Sequence, residues 1–226
     1  MEDLKNWQTK FKPCEYSAKL LNKLILLNEE VTQPVDIREI IKAIYYAKKY
    51  HDSQMRQSGE PYYSHPIEVA YMVAEYTAQE IRQLFRTDMI VTSLLHDTIE
   101  DTALTKEMIA RIFGSNVASQ VESLTRIKPY GKISSKEILN LLSQQNRFDV
   151  ALIKLFDRIH NLQTLGVKSP EKALKIVKET IAYFVTLCFY LEIPTAEQQL
   201  TDLCYQNLPI THDPLDLGSV KKILIV

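Results

Sequence analysis

Along most of the chain apolar residues return every third or fourth position, the period of a helix with one buried face. After Asp36, placed to cap a helix, Ile37, Ile40, Ile41 and Ile44 share such a face. The same pattern predicts helices over about Tyr16–Leu27, Asp36–Tyr50, Pro66–Tyr76, Thr87–Thr98, Lys106–Phe113, Asn116–Ile127, Ser135–Leu142, Arg147–Leu165, Ser169–Leu191 and Thr195–Gln206. Strand-like alternation is nearly absent. The expectation is an all-α chain, one bundle of about ten helices over residues 1–207 followed by a tail, residues 208–226, whose stretch Leu208–Gly218 carries prolines. Val220–Val226 reads as a short strand, a docking arm or a truncation scar.

The breaks between helices are specific. Ser58-Gly59-Glu60-Pro61 is a turn signal, and His65 directly precedes Pro66, which predicts an extended residue at the mouth of a helix whose first position is proline. Gly114 after Phe113 reads as a helix stop, and Gly131 after Pro129 as a loop.

Composition narrows the function. With 27 Lys and Arg against 28 Asp and Glu there is no basic surplus to draw the chain onto nucleic acid or an acidic membrane. Cys14, Cys188 and Cys204 are odd in number and far apart, so neither a disulfide framework nor a thiolate metal site is indicated. The longest apolar run, Ile181–Leu191, is too short to span a bilayer, and Met1–Phe11 has no apolar stretch, so a cytoplasmic protein is expected.

Chemistry concentrates in LLHDTIEDT, Leu94–Thr102, where a histidine and three carboxylates end an apolar helix. Asp97 falls on the face of Ile90 and Leu94, and a buried carboxylate is costly unless a cation meets it. If the helix continues, Glu100 at i+4 from His96 and Asp101 at i+4 from Asp97 line the same pocket. The bland alternative is a surface acidic cluster beside a satisfied core histidine. His-Asp occurs three times, but His51-Asp52 lies at a polar helix end and His212-Asp213 in the tail, so only His96-Asp97 follows an apolar run. In KLFDRIHNLQTL, Lys154–Leu165, the polar groups of Asp157, Asn161 and Thr164 share one helix face, with Leu152, Leu155, Ile159 and Leu162 opposite. Here the alternative is a surface pair of Asp157 and Arg158. Two imidazoles and two carboxylates, His65, His96, Asp97 and Asp157, would make a nitrogen and oxygen site suited to Mn, Fe or Zn and to phosphate hydrolysis.

Four segments together resemble the HD-type hydrolase domain of the Rel/Spo homologues, which degrade the guanosine alarmones ppGpp and pppGpp. They are HDSQMRQSGEPYYSHPIEVA (His51–Ala70), SLLHDTIEDT (Ser93–Thr102), FGSNVASQVESLTRI (Phe113–Ile127) and IKLFDRIHNLQTL (Ile153–Leu165), within a resemblance covering about Ile37–Leu208. The resemblance implies a single HD-domain helical bundle and one divalent ion, Mn2+, held by His65, His96, Asp97 and Asp157. It implies that Glu100 and Asp101 position or deprotonate the attacking water. Arg56 and Ser58 would contact guanine or phosphate, and Asn161 and Thr164 the sugar and phosphate side of a guanine-nucleotide substrate. The products would be GDP or GTP and pyrophosphate.

The chain departs from the family pattern at Gln57, where Lys is frequent, at Phe156, which replaces a small residue, and at Gln163, where Arg is common. Glu179-Thr180 is kept, but Ile181–Ile193 lacks the usual proline and R-L-G pattern, so the late helices are expected to pack differently. The sequence stops about where a synthetase domain begins in long family members, and it has no phosphate-cradling G-x-x-x-x-G-K-[ST] loop, so a hydrolase-only chain is expected. Two other readings keep the fold: hydrolysis of another nucleotide, such as a dinucleotide 2′-phosphate or a nucleoside monophosphate, and a sensor that binds alarmone without turnover. The intact Glu100-Asp101 pair argues against the sensor, which needs no water-activating groups.

Overall fold

In the computed structural model the described residues are 3–128 and 131–208. The tail expected over 208–226 lies outside them except for Leu208. Among the described residues the chain is all-α apart from one two-stranded ribbon. Its helices are α1 (Asp3–Lys10), α2 (Glu15–Glu30), α3 (Ile37–His51), α4 (Ser64–Glu80), α5 (Thr87–Leu95), α6 (Thr98–Asp101), α7 (Lys106–Phe113) and α8 (Ser115–Leu124). The ribbon β1 (Ile127–Lys128) and β2 (Gly131–Lys132) follows, then α9 (Ser135–Gln144), α10 (Phe148–Gln163), α11 (Pro170–Glu179), α12 (Thr186–Leu191) and α13 (Pro194–Gln206). Two compact units result, one ending at Asp157 and the other beginning at Arg158, so the division falls within α10.

In the first unit α5 is the central element. Met89 to Leu95 are all buried, and α5 packs against α3, α4 and α8. At α3 the capping expectation holds: the Asp36 carboxylate accepts from the N–H groups of Arg38 and Glu39 at 2.8 and 3.2 Å. Gly114 ends α7 with φ of 92°, a conformation that costs glycine nothing, and the chain turns there straight into α8. In the second unit α11, a π-helical turn over Thr180–Val185, α12 and α13 pack on one another.

Several expected boundaries move, each for a local reason. The helix predicted over Thr87–Thr98 breaks at His96-Asp97. There the His96 ring nitrogen Nδ1 bonds the Ser93 carbonyl at 2.7 Å and the Thr98 hydroxyl donates to the Leu95 carbonyl at 2.7 Å. Side chains thus take up carbonyls that a continuing helix would give to backbone N–H groups. Asp97 then starts α6, its carbonyl accepting from the N–H of Asp101 at 2.9 Å. Helix α4 begins at Ser64 rather than at Pro66, so His65 is helical and not extended. Proline is tolerated in that first turn because its missing N–H would have had no intrahelical acceptor.

The run predicted as helix over Asn116–Ile127 stops at Leu124, and Ile127–Lys128 pairs antiparallel with Gly131–Lys132. Gly131, expected in a loop, supplies the ribbon with a φ of 125°. α1, which has too few apolar positions to show a period, went unpredicted. The run Ser169–Leu191 stays helical but contains the π turn, in the segment that departs from the family pattern.

Candidate functional site

The expected metal-binding residues come from three places in the first unit. His65 stands in the first turn of α4, fed by a tight turn in which the N–H groups of Ser64 and His65 donate to the carbonyls of Pro61 and Tyr62, both at 3.0 Å. His96 and Asp97 stand at the break between α5 and α6, and Asp157 on α10. His65 and His96 are each 2% exposed and Asp157 6%, while the Asp97 side chain keeps 19%.

These groups converge. His65 Nε2 lies 3.2 Å from Asp157 Oδ1 and 3.6 Å from Asp97 Oδ2. His96 Nε2 lies 3.2 Å from Asp97 Oδ2 and 3.8 Å from Asp157 Oδ1. One ligand atom from each of His65, His96 and Asp157 lies within 4.8 Å of the others, and Asp97 reaches both imidazoles from the more open side.

The donor set fits a divalent cation. A carbonyl can only accept, so Nδ1 of His96 carries the hydrogen that binds Ser93, which leaves Nε2 for a metal. Although Asp97 is near, neither carboxylate lies where Nε2 can hydrogen-bond it, and this buried nitrogen has no hydrogen-bond partner among the described residues. Burial acts to lower the His96 pKa, but the charges of Asp97 and Asp157 outweigh it and push it up to about 10. Asp97 is lowered, burial being overcome by His96, and Asp157 is lowered against burial by Lys154 and the two imidazoles. His65 moves down, because burial there outweighs the pull of Asp157. The cluster therefore holds two ionised carboxylates that draw positive charge between them.

The two carboxylates expected to handle water are held in different ways, and Asp101 is the one tied to this cluster. Half-buried Glu100 accepts the Arg126 N–H on Oε2 at 3.0 Å. Asp101 is exposed, and its Oδ2 is 2.8 Å from the Tyr62 hydroxyl, which also lies 3.0 Å from Asp97 Oδ2. Partial desolvation by the surrounding protein and the charge of Asp97 raise the Asp101 pKa. Arg56, half-buried, and Ser58, exposed, sit on the turn that precedes His65, where Gly59 takes a φ of 92° and its N–H donates to the Arg56 carbonyl at 3.0 Å. Asn161 follows Asp157 by one turn of α10, and Thr164 closes that helix with its hydroxyl 3.3 Å from the His160 carbonyl. Asn161 and Thr164 belong to the second unit, whereas the other eight candidates belong to the first.

Three residues at the site were not picked out from sequence. His51, read as part of a polar helix end, is 1% exposed and stacks on the Tyr62 ring with centroids 4.6 Å apart. Tyr62 lacked any signal beyond its place in the GEPYYSHP segment. Lys154 is buried, with Nζ 2.7 Å from Asp157 Oδ2, a contact that its i, i+3 spacing on a helix could have suggested.

This geometry sets a cluster that could hold a metal ion, with a His-Asp pair in it, on a helical frame, and comparison with known proteins names the class. The HD domain family matches residues 43–191, so the chain belongs to that family. Among curated relatives it is 36% identical over 181 residues to the "GTP pyrophosphokinase rsh" of Brucella ovis, covering 76% of this chain and 23% of that protein. It is 37% identical over 180 residues to the "GTP pyrophosphokinase" of Myxococcus xanthus, again with 76% and 23% coverage. The chain thus spans about a quarter of the length of these relatives. A solved structure described as a metazoan ortholog of SpoT that hydrolyses ppGpp matches the fold with a TM-score of 0.55 at 22% identity, covering 74% of this chain and 94% of that one. The resemblance to the HD-type domain of the Rel/Spo homologues, expected from four motifs, is borne out. No helix among the described residues is long and apolar enough to cross a membrane.

Proposed function

We propose that this chain is a metal-dependent hydrolase that removes the 3′-pyrophosphate of ppGpp and pppGpp, releasing GDP or GTP and pyrophosphate. One observation carries the reading: two buried imidazoles and two carboxylates meet in one place, and His96 Nε2 has no hydrogen-bond partner there. In this reading His65, His96, Asp97 and Asp157 hold one divalent ion, Mn2+ by family resemblance. Such an ion lowers the pKa of water and neutralises charge on a phosphate. Backbone contacts orient the protein groups: Ser93 sets the His96 ring, and the Arg126 N–H fixes Glu100.

Water attacks the phosphorus attached to the ribose 3′ oxygen, the bond between that oxygen and phosphorus breaks, and a proton passes to the departing 3′ oxygen. Glu100 and Asp101 orient the water and accept its proton. Arg56 and Ser58, on the turn before His65, bind guanine or phosphate of the nucleotide.

The test is metal analysis of the purified protein with a ppGpp turnover assay in Mn2+, repeated on Asp97→Ala. Stoichiometric metal and pyrophosphate release, both lost in the variant, are expected. Unchanged turnover in Asp97→Ala would refute the reading. A panel containing a dinucleotide 2′-phosphate and nucleoside monophosphates separates substrates, and ppGpp binding without product would mark a sensor.

A further inference from the structure

We propose that Tyr62 is a positioning residue of this site, its phenol holding the carboxylates of Asp97 and Asp101 at a set separation. Asp97 and Asp101 are one helical turn apart, like charges that would repel and swing apart on a short helix of four residues. The Tyr62 oxygen lies between them, 3.0 Å from Asp97 Oδ2 and 2.8 Å from Asp101 Oδ2. The one phenolic hydrogen is shared between the two acceptor oxygens, so a metal-binding carboxylate and a water-handling one are joined through one hydroxyl.

The phenol is itself held. Its ring stacks on buried His51, with 4.6 Å between centroids and 23° between planes, and meets the His65 ring edge-on at 6.2 Å. His51 Nδ1 pairs with Gln54 Oε1 at 2.8 Å, and the same amide donates through Nε2 to the Asp101 carbonyl at 2.9 Å. The Tyr62 N–H donates to the Gln54 carbonyl at 2.8 Å, which closes the turn between them. Asp101 is thus fastened twice to the segment from His51 to Tyr62, by its carboxylate and by its backbone. Outer groups that orient metal-binding side chains in this way govern both metal affinity and rate.

The inference rests on the hydrolase reading for the role of Asp101, but its contact with Asp97 makes a prediction about metal binding alone. The test uses the full chain with Tyr62→Phe, which keeps the ring on His51 and removes only the hydroxyl. Mn2+ affinity is measured by calorimetry on chelator-treated protein, ppGpp turnover in saturating Mn2+, and folding by thermal unfolding. Mn2+ is expected to bind about 10-fold more weakly or worse, and kcat to fall about 10- to 100-fold. KM for ppGpp should change by less than about twofold, a split that general loosening of the fold would not produce.

Tyr63→Phe is the control, since that ring faces Lys48 at 5.1 Å, and it should match the parent protein. If Tyr62→Phe loses cooperative unfolding, Tyr62→His replaces it, with the same losses expected because imidazole is too short to span both carboxylates. Mn2+ affinity within twofold of the parent, in either folded variant, overturns the proposal. Should the parent bind Mn2+ yet turn over no ppGpp, the hydrolase reading fails while the affinity measurement still decides for or against Tyr62. A parent that binds no Mn2+ overturns both.

Discussion

Replacing Lys154 by methionine tests the charge balance of the site most directly. Lys154 and Asp157 have side chains 10% and 9% exposed, with Nζ 2.7 Å from Oδ2. At an effective dielectric near 20 the gross attraction at that distance is about 6 kcal/mol, from which the desolvation of both ions must be subtracted. Methionine keeps most of the apolar stem, so Lys154→Met chiefly removes the nearest cation from the carboxylate of Asp157 and leaves the imidazoles of His65 and His96 to balance it beside Asp97. Removing one partner of a buried pair costs about 3–5 kcal/mol.

For a chain of this size each kcal/mol lowers Tm by about 2–4 °C, so the variant should melt about 6–20 °C below the parent in chelator at pH 7. If Asp97 and Asp157 share a divalent ion as proposed, it supplies the missing positive charge, and in saturating Mn2+ the deficit should shrink to less than half. Calorimetry of both proteins with and without Mn2+ makes the comparison. A loss below about 1 kcal/mol would show that the pair contributes little. Equal losses with and without Mn2+ would show that Asp157 does not ligate the ion.

Two further outcomes follow from the same packing. In chelator, stability should decline as pH rises from about 6.5 toward 10, because the folded pKa of His96 is raised to about 10 and its contribution, complete below the unfolded value, is lost as the proton leaves. His65 is shifted down and acts oppositely, weakening the fold as pH falls below its unfolded value, so denaturant titrations should place the optimum near neutrality, and a flat profile from pH 6.5 to 9 would count against this charge arrangement. Phe156→Ala should cost about 3–5 kcal/mol, because the buried ring packs against Tyr76 with centroids 5.3 Å apart, and a loss under about 1 kcal/mol in urea unfolding would mean that the core closes over the space.

Much of this protein was legible in its residue order. Periodicity identified most helices and the all-α class, because a repeating buried face is written directly into the spacing of apolar residues. The Asp36 cap and the Gly114 stop were legible because each acts within a turn of its own position. The candidate ligands stood out because a histidine and carboxylates at the end of an apolar helix are costly without a partner.

What spacing could not supply was decided by folding. The spacing of apolar residues does not say that the Ser93 carbonyl, three positions back, is taken by the His96 ring, yet this bond accompanies the end of α5 and leaves the other ring nitrogen facing the carboxylates of Asp97 and of Asp157, which arrives from α10. His51 read as polar because its sequence neighbours are polar, but the fold buries it under Tyr62. Tyr62 reaches across 35 and 39 positions to Asp97 and Asp101, and Asp157 meets His65 from a helix begun more than eighty residues later. Helical periods report which face is covered. Which side chain covers it, and at what angle its lone pairs point, depends on contacts between distant segments that exist only once the helices have packed.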